Sequence, residues 1–140
     1  MSIIPKETII KQLEDYFHVK LQQVKCKQII YEGMLSNNMR MVVCTPKSKM
    51  YPRGFGWVDL TTVQLEAFDK YTYQILAIRM EGGSLYYLHV QTLTPYLTIE
   101  SRKYNTREGN HWKLYLYPDH IRITGNKELY MIEPNNLNNL

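Results

Sequence analysis

The chain has 140 residues, of which 44% are hydrophobic and 21% charged, and its formal net charge is +4. This composition is typical of one folded domain, and it excludes wholesale disorder, a membrane-spanning helix of roughly 20 apolar residues and an N-terminal export signal. Two cysteines, Cys26 and Cys44, are too few for a disulfide framework, so we expect free thiols, a cytoplasmic location and no membrane partner.

The N-terminal third predicts a helix followed by a hairpin. Residues 5–18 favour a helix, because Pro5 suits a first helical position and apolar residues recur at helical spacing, namely Ile9, Ile10, Leu13, Tyr16 and Phe17. Residues 25–34 alternate between apolar and polar, which predicts a strand. The asparagines in 36–38 are typical of a turn, and residues 39–44 are then the returning strand.

The middle of the chain predicts an irregular loop and a short helix. Residues 45–56 contain two prolines and two glycines, so we expect a loop or an irregular edge strand. Trp57 brings the chain back into the core. Thr61 and Gln64 fit the S/T-x-x-E/Q capping box, which predicts a helix that ends near residue 70.

The second half is predominantly β-structure. Residues 74–80 are the most apolar strand candidate, and a turn leads to the partner strand 85–90. One helical turn, an exposed loop and a three-stranded meander follow at 94–97, at 99–110, and at 111–117, 121–124 and 128–132. The fold class is therefore α+β, a single domain over residues 1–133 with a mixed, mostly antiparallel sheet and about two helices. The polar, asparagine-rich tail 134–140 is expected to pack little.

The positive charge is concentrated in one region. Between Tyr16 and Val58 the only acid is Glu32, against seven cations: Lys20, Lys25, Lys27, Arg40, Lys47, Lys49 and Arg53. Clustered cations bind polyanions because they release counterions from phosphates, so this region points to DNA or RNA as a partner. A solvated basic face without a partner is the alternative.

The segment 45–57 combines cations, aromatic residues and glycines. Cations contact phosphates, aromatic faces stack on bases, and glycines let the backbone approach a strand. Phe55 and Trp57 are also interpreted as core anchors. If two basic loops lie on one side of the molecule they form a groove. The candidate nucleic-acid-binding residues are Arg40, Lys47, Lys49, Tyr51 and Arg53, with Arg102, Lys103 and Arg107 from the second loop.

Motifs for other site chemistries are missing. No histidine pair has i, i+4 spacing and the cysteines form no CxxC, so no metal site is predicted. A P-loop, a dinucleotide-binding glycine motif before a helix and a GxSxG elbow are also missing, and we expect no cofactor. Cys44 is either a nucleophile activated by the basic loop or, as is more common at the end of an apolar run, a buried small hydrophobe.

The order of the predicted elements resembles a nuclease family. A helix, a strand, a turn, a strand followed by a lysine, an aromatic re-entry, a helix and a long strand are similar to the PD-(D/E)xK restriction-endonuclease-like nucleases. In that family, an acid on the first helix, an acid on one strand and the acid of an acid-x-Lys motif on the next strand hold Mg²⁺, and the metal ions activate water. The resemblance assigns catalytic positions to Glu14 and Lys47. The remaining acid positions fall on Asn37 or Asn38 and on Thr45, which are not carboxylates.

Three functions follow from these patterns. The first is a nucleic-acid-binding protein of nuclease-like fold from a phage, a mobile element or a defence system. The second is an active Mg²⁺-dependent endonuclease in which Glu14, Glu32 or Asp59 acts with Lys47. The third is an interaction or inhibitor module that binds an acidic protein, which the twelve tyrosines favour because tyrosine is enriched in binding surfaces. DNA against RNA, the oligomeric state and whether the protein is an enzyme stay open.

Overall fold

The computed structural model describes residues 3–140 and contains, in that range, three α-helices and eleven strands. The helices are α1 (Lys6–Phe17), α2 (Thr62–Phe68) and α3 (Val90–Leu93), with 3-10 turns at Thr94–Tyr96 and Leu137–Asn139. The strands are β1 (Gln22–Gln23), β2 (Ile30–Met34), β3 (Arg40–Cys44), β4 (Lys47–Ser48), β5 (Gly56–Thr61), β6 (Tyr73–Met80), β7 (Leu85–His89), β8 (Lys103–Asn105), β9 (Gly109–Tyr117), β10 (His120–Ile123) and β11 (Leu129–Met131). None of the helices over residues 3–140 is long and apolar enough to cross a membrane.

The first sheet is mixed and contains β1, β2, β3, β4, β6 and β7. β2 and β3 form an antiparallel hairpin in which Ile30 is opposite Cys44. The chain then leaves through β5 and α2 and returns as β6, which pairs in parallel with both β3 and β4. β7 is antiparallel to β6. A parallel pair of strands requires a long crossover connection. Here the crossover from β3 to β6 includes β5, which pairs in the second sheet.

The second sheet is antiparallel throughout, in the order β11-β10-β9-β5, with β8 beside the start of β9. β9 is its central strand. It pairs with β5 from Gly56 opposite Leu116 to Thr61 opposite His111. On its other side it pairs with β8 at one end and with β10 at the other.

The layers are helix, sheet and sheet. α1 buries Ile9, Ile10 and Leu13 against one face of the first sheet. The other face packs against the second sheet, where Leu76 and Leu114 belong to one buried cluster. The first sheet is therefore covered on both sides, which explains why β6 is buried at seven of its eight positions. The second sheet has one covered face and one open face.

The predicted fold class is confirmed. The domain is α+β with mixed, mostly antiparallel pairing, although its strands divide between two sheets. The capping box is also present, since Thr61 Oγ1 accepts from Gln64 N at 3.1 Å and Gln64 Oε1 accepts from Thr61 N at 2.9 Å. Two local predictions differ. Residues 25–29 turn instead of extending, with Cys26 at φ 65°, and part of the predicted loop 99–110 forms the β8–β9 hairpin.

The C-terminal segment 134–140 lies against the first sheet. Asn135 N donates to Leu85 O at 2.7 Å, and Asn135 Oδ1 accepts from Leu85 N at 2.9 Å. Leu137 and Leu140 pack against the cluster beneath α1. The expectation that this tail packs little is therefore wrong. An asparagine satisfies the backbone at the start of β7, and the two leucines supply apolar contact.

Candidate nucleic-acid interface

Three of the predicted contact residues lie together beside β5. Lys47, Lys49 and Tyr51 line a cleft of about 580 Å³. Pairing of β4 with β6 fixes Lys47, and the Ser48 hydroxyl accepts from Trp57 N at 2.8 Å. The chain then forms a small hairpin, in which Tyr51 N donates to the carbonyl at position 55 at 2.8 Å. Lys47, Lys49 and Tyr51 therefore come from one short segment, whose position is fixed by backbone hydrogen bonds.

The charge of the cleft is mixed. Asp59, Glu81 and Glu108 line it together with Lys47 and Lys49. Glu108 belongs to the turn of the β8–β9 hairpin, so the two predicted loops do reach the same cleft, but the second loop contributes an acid to its lining. Three carboxylates against two lysines do not favour a polyanion. The cleft is therefore not the basic groove that the sequence predicts.

The other predicted cations are exposed around this region. Arg53 lies in the exposed turn of the small hairpin, and Arg102, Lys103 and Arg107 are exposed in or next to the β8–β9 hairpin. Arg107 Nε lies 3.7 Å from Oε1 of the adjacent Glu108. Lys103 is opposite His111 in the register of β8 and β9, so the two side chains lie on the same face of the second sheet, where Lys103 is exposed and His111 is buried.

Arg40 lies apart from the other candidates. It begins β3, and about 13 Å of strand separates it from the end of β3 that leads to Lys47. Its guanidinium lies 4.5 Å from the centroid of the Tyr71 ring and 3.4 Å from Glu32 Oε1. That carboxylate also accepts from the Tyr71 hydroxyl at 2.5 Å. Arg40 therefore belongs to a local cluster on the first sheet.

The two catalytic candidates are not brought together. Glu14, near the end of α1, accepts from Leu21 N at 2.9 Å. Lys47 shares a cavity with Lys6 and Glu7 at the start of α1, and two helical turns, about 10 Å, separate Glu7 from Glu14. Glu14 therefore holds the chain after α1, and the acid on that helix nearest to Lys47 is Glu7.

The open face of the second sheet carries aromatic and cationic side chains. Along 112–117, buried residues alternate with partly exposed ones, as expected for a sheet covered on one side. Trp57 and Asp59 of β5 and Arg122 of β10 follow the same alternation. We call the following set the aromatic platform: Phe55, Trp57, Lys113, Tyr115, Tyr117 and Arg122.

The rings of the platform hold one another. The Phe55 centroid lies 5.5 Å from that of Tyr115 and 5.6 Å from that of Tyr117. Tyr51 stacks on Phe55 with a centroid distance of 5.6 Å, and its hydroxyl accepts from Trp57 Nε1 at 2.7 Å. Offset and edge-to-face ring pairs at such distances are attractive. The rings are therefore pre-organised by packing and by one hydrogen bond.

Two cations lie over platform rings. Lys113 Nζ is 4.4 Å from the centroid of Trp57, and the Arg122 guanidinium is 5.0 Å from that of Tyr115. Lys113 Nζ is also 3.5 Å from Asp59 Oδ1, a buried oxygen that accepts no hydrogen bond from the described residues. Arg122 forms no ion pair within residues 3–140. The uncompensated positive charge of the platform is therefore on Arg122.

Sequence reasoning missed Lys113, Tyr115, Tyr117 and Arg122 as site residues. Tyrosine is a good strand former, so tyrosines in predicted strands carry little functional signal. The available signal is the period-two alternation of 112–117, which places Lys113, Tyr115 and Tyr117 on one face. That alternation does not reveal whether another layer covers the face.

No family model, curated protein or solved structure matches this chain at a significant level. The resemblance to restriction-endonuclease-like nucleases is thus carried by the order of the elements and by a few residue positions. Function is inferred from the side chains themselves.

Proposed function

We propose that this protein binds single-stranded nucleic acid on the aromatic platform. The observation that carries the proposal is the open face of the second sheet, on which the partly exposed rings of Trp57 and Tyr115 are held by ring and cation contacts. Aromatic side chains on an open antiparallel sheet stack on unpaired bases, whereas the bases of a duplex are already stacked on one another. DNA and RNA both offer such bases.

The spacing of the rings suits several bases. Residues two apart on a strand lie about 6.8 Å apart, and neighbouring strands lie about 4.8 Å apart. Tyr115 and Tyr117 are two apart on β9, and Trp57 is directly opposite Tyr115 on β5. Tyr117 already stacks on Phe55 and on His120, with centroid distances of 5.6 and 4.7 Å, so Trp57 and Tyr115 are the rings proposed to receive bases. Antiparallel sheets with exposed aromatic residues stack two or three bases at once, so we expect the platform to bind a short segment of single-stranded nucleic acid.

Four cations on or around the platform are the proposed phosphate contacts. Arg122 is partly exposed on the platform, Lys49 and Arg53 are exposed on the segment that carries Tyr51, and Lys103 is exposed on β8. Predicted contact residues from both loops therefore stay in the proposal. Arg40 is left out, because its guanidinium is engaged with Glu32 on the first sheet.

We also propose that the nuclease resemblance reflects topology without cleavage. The proposal starts from the order of the longer elements, α1, β2, β3, β5, α2 and β6, between which the two-residue strands β1 and β4 are inserted. Thr45 Oγ1 donates to Ile29 O at 3.2 Å and Asn37 Oδ1 accepts from Met39 N at 3.1 Å, so both serve the backbone. Among residues 3–140, no three His, Cys, Asp or Glu side chains are grouped so that they could hold a metal ion. Because Asn37 and Thr45 stand where the family has carboxylates, these two positions favour binding of nucleic acid over its cleavage.

The test is a binding titration with labelled oligonucleotides. Fluorescence anisotropy of single-stranded DNA, single-stranded RNA and duplexes of one sequence is followed across a salt series, with and without Mg²⁺. Tyr115→Ala removes one stacking ring and is expected to weaken single-strand binding by about tenfold or more, since stacking contributes about 1–3 kcal/mol per base. The matched control is Tyr16→Ala on α1, where the ring is 40% exposed.

Tighter binding of single strands than of duplexes, weakened by Tyr115→Ala and unchanged by Tyr16→Ala, supports the proposal. Equal loss in both variants, or no binding at low salt, overturns it. Cut products that require Mg²⁺ and disappear in Lys47→Ala would favour the endonuclease. Failure to bind any nucleic acid together with stoichiometric capture of an acidic protein would favour the interaction module.

A further inference from the structure

A second cavity, of about 280 Å³, lies at the start of α1. Its lining combines the first turn of the helix, the loop before β2, and two cations on neighbouring strands of the first sheet. Lys47 and Ile29 also line the cleft beside β5, so the cavity and the cleft adjoin. The aromatic platform makes no use of this cavity.

Arg79, on β6, is a buried cation in the wall of this cavity and is only 8% exposed. Its Nε and Nη2 donate to Thr45 O at 3.1 and 3.0 Å, and its Nη1 donates to Ile4 O at 3.3 Å. A guanidinium has five N–H donors, so two are left over. Within residues 3–140, Arg79 forms no ion pair.

A buried charge without an ion pair lowers the stability of the fold. Burial lowers the pKa of Arg79, and the nearby Glu7 and Tyr31 oppose that shift. A guanidinium nevertheless stays protonated at neutral pH. Buried charges in proteins are normally paired with an opposite charge, so we expect an anion to bind beside Arg79 in the cavity.

The other charged groups of the cavity add to the positive excess. Lys6 Nζ donates to the Gln28 carbonyl, and Lys47 is exposed. Among the described residues of the lining, Glu7 is the single carboxylate, against the three cations Lys6, Lys47 and Arg79. Glu7 compensates part of this charge, and an excess of positive charge stays around the empty space.

We propose that the cavity at the start of α1 binds a phosphate group, with Arg79 as its fixed donor and Lys6 and Lys47 as movable ones. The two carbonyls fix the guanidinium and leave one N–H donor on Nη1 and one on Nη2, which are donors suited to the oxygens of a phosphate. The lysines reach the same space from two sides and supply charge without fixed geometry.

The inference deepens the proposed function and rests on it for the source of the phosphate. Trp57 belongs to the platform and also lines the cleft, and Lys47 lines both the cleft and the cavity. The cleft itself has no positive excess, so we expect only the end of a platform-bound strand to cross it and to place its terminal phosphate beside Lys47 and Arg79 in the adjoining cavity. Inorganic phosphate offers the same chemistry, so the experiment has one arm for each source.

The first arm titrates inorganic phosphate into the 140-residue protein at constant ionic strength in chloride and follows the Arg79 Nε–H resonance by ¹⁵N NMR. We expect a saturable shift, with the dissociation constant raised about tenfold by Lys47→Gln or Lys6→Gln, the loss typical of one charge-assisted contact. Glu7→Gln is expected to tighten binding about threefold, because it removes a neighbouring negative charge. Lys127→Gln, an exposed lysine outside the lining of both cavities, is the control.

The second arm compares oligonucleotides that carry a 5′-phosphate, a 3′-phosphate or only hydroxyl ends. We expect a terminal phosphate at one end to tighten binding about tenfold, and Lys47→Gln to abolish that gain. Arg79→Lys keeps the positive charge but removes the planar guanidinium. We therefore expect this variant to bind inorganic phosphate more weakly and to lose the affinity gained from a terminal phosphate. If that variant does not fold, the two lysine variants and Glu7→Gln still decide the question.

The absence of a saturable phosphate shift, or equal weakening by Lys47→Gln and Lys127→Gln, overturns the phosphate site. Oligonucleotide binding that is indifferent to terminal phosphates, together with a missing inorganic phosphate shift, overturns the site and leaves the proposed function intact. Binding of inorganic phosphate without binding of any strand supports the site and overturns the proposed function.

Discussion

Replacement of Arg122 by glutamine tests the charge of the aromatic platform. For single strands, log Kobs falls with log salt by about 0.7 per phosphate neutralised. Arg122 has no ion pair within the described residues, so Arg122→Gln is expected to lower the slope by about 0.7. Lys113→Gln should lower it less, because Lys113 Nζ already lies 3.5 Å from Asp59 Oδ1.

Asp59→Asn is expected to change the salt dependence of binding in the opposite direction. Removing the carboxylate leaves Lys113 uncompensated, so we expect tighter binding and a slope steeper by at most about 0.7. The cost of Arg122→Gln to folding should be small, since a cation–π contact at a partly exposed site contributes about 0.5–1 kcal/mol. Urea unfolding of each variant separates that cost from a loss of binding.

The assay is anisotropy of one labelled single strand at five or more salt concentrations. Lys20→Gln is the charge-matched control, because this side chain is exposed between α1 and β1 and, like Arg122, forms no ion pair within the described residues. A slope lowered equally by Lys20→Gln and Arg122→Gln would show that only net charge matters. A larger effect of Lys113→Gln than of Arg122→Gln would refute the assignment of the uncompensated charge.

Three further predictions concern folding and thiol chemistry. Gly56→Ala is expected to destabilise the fold by about 1–3 kcal/mol in urea unfolding, because a Cβ there would lie 2.8 Å from the Lys49 carbonyl oxygen; unchanged stability would contradict the close approach. Thr61→Ala removes the hydroxyl of the capping box and should cost about 1 kcal/mol, whereas Thr61→Ser should restore most of it. Burial raises the pKa of Cys44 to about 12, so at pH 8 a thiol reagent should label the exposed Cys26 rapidly and Cys44 only after denaturation; rapid labelling of two thiols in the native protein would count against this burial.

The local elements follow from local patterns. α1 is recognisable because its apolar residues repeat at helical spacing, and α2 begins where Thr61 and Gln64 satisfy each other's backbone donors. β6 reads as a buried strand because its residues are apolar in succession, as expected when both faces of a sheet are covered. Residues 25–29 show the limit of this reasoning, since an alternating pattern there coincides with a turn in which Cys26 has a positive φ.

The candidate site depends on relations that a local pattern does not contain. Sequence proximity correctly groups Lys47, Lys49 and Tyr51, because one short segment carries them. It also groups Arg40 with them, although β3 carries Arg40 away from the cleft. Acids from distant segments, including Glu81 and Glu108, enter the same cleft and change its charge.

By itself, the sequence determines the fold class, most of the elements, the capping box and the concentration of positive charge in residues 16–58, because each of these depends on neighbouring residues. Only the tertiary structure decides that Tyr115 lies partly exposed opposite Trp57, and that Arg79 is buried next to Lys47 with no ion pair to a described residue. Pairing of β5 with β9 and of β4 with β6 brings these residues together. Such contacts join positions far apart in the chain, and no spacing within a single strand or helix encodes them.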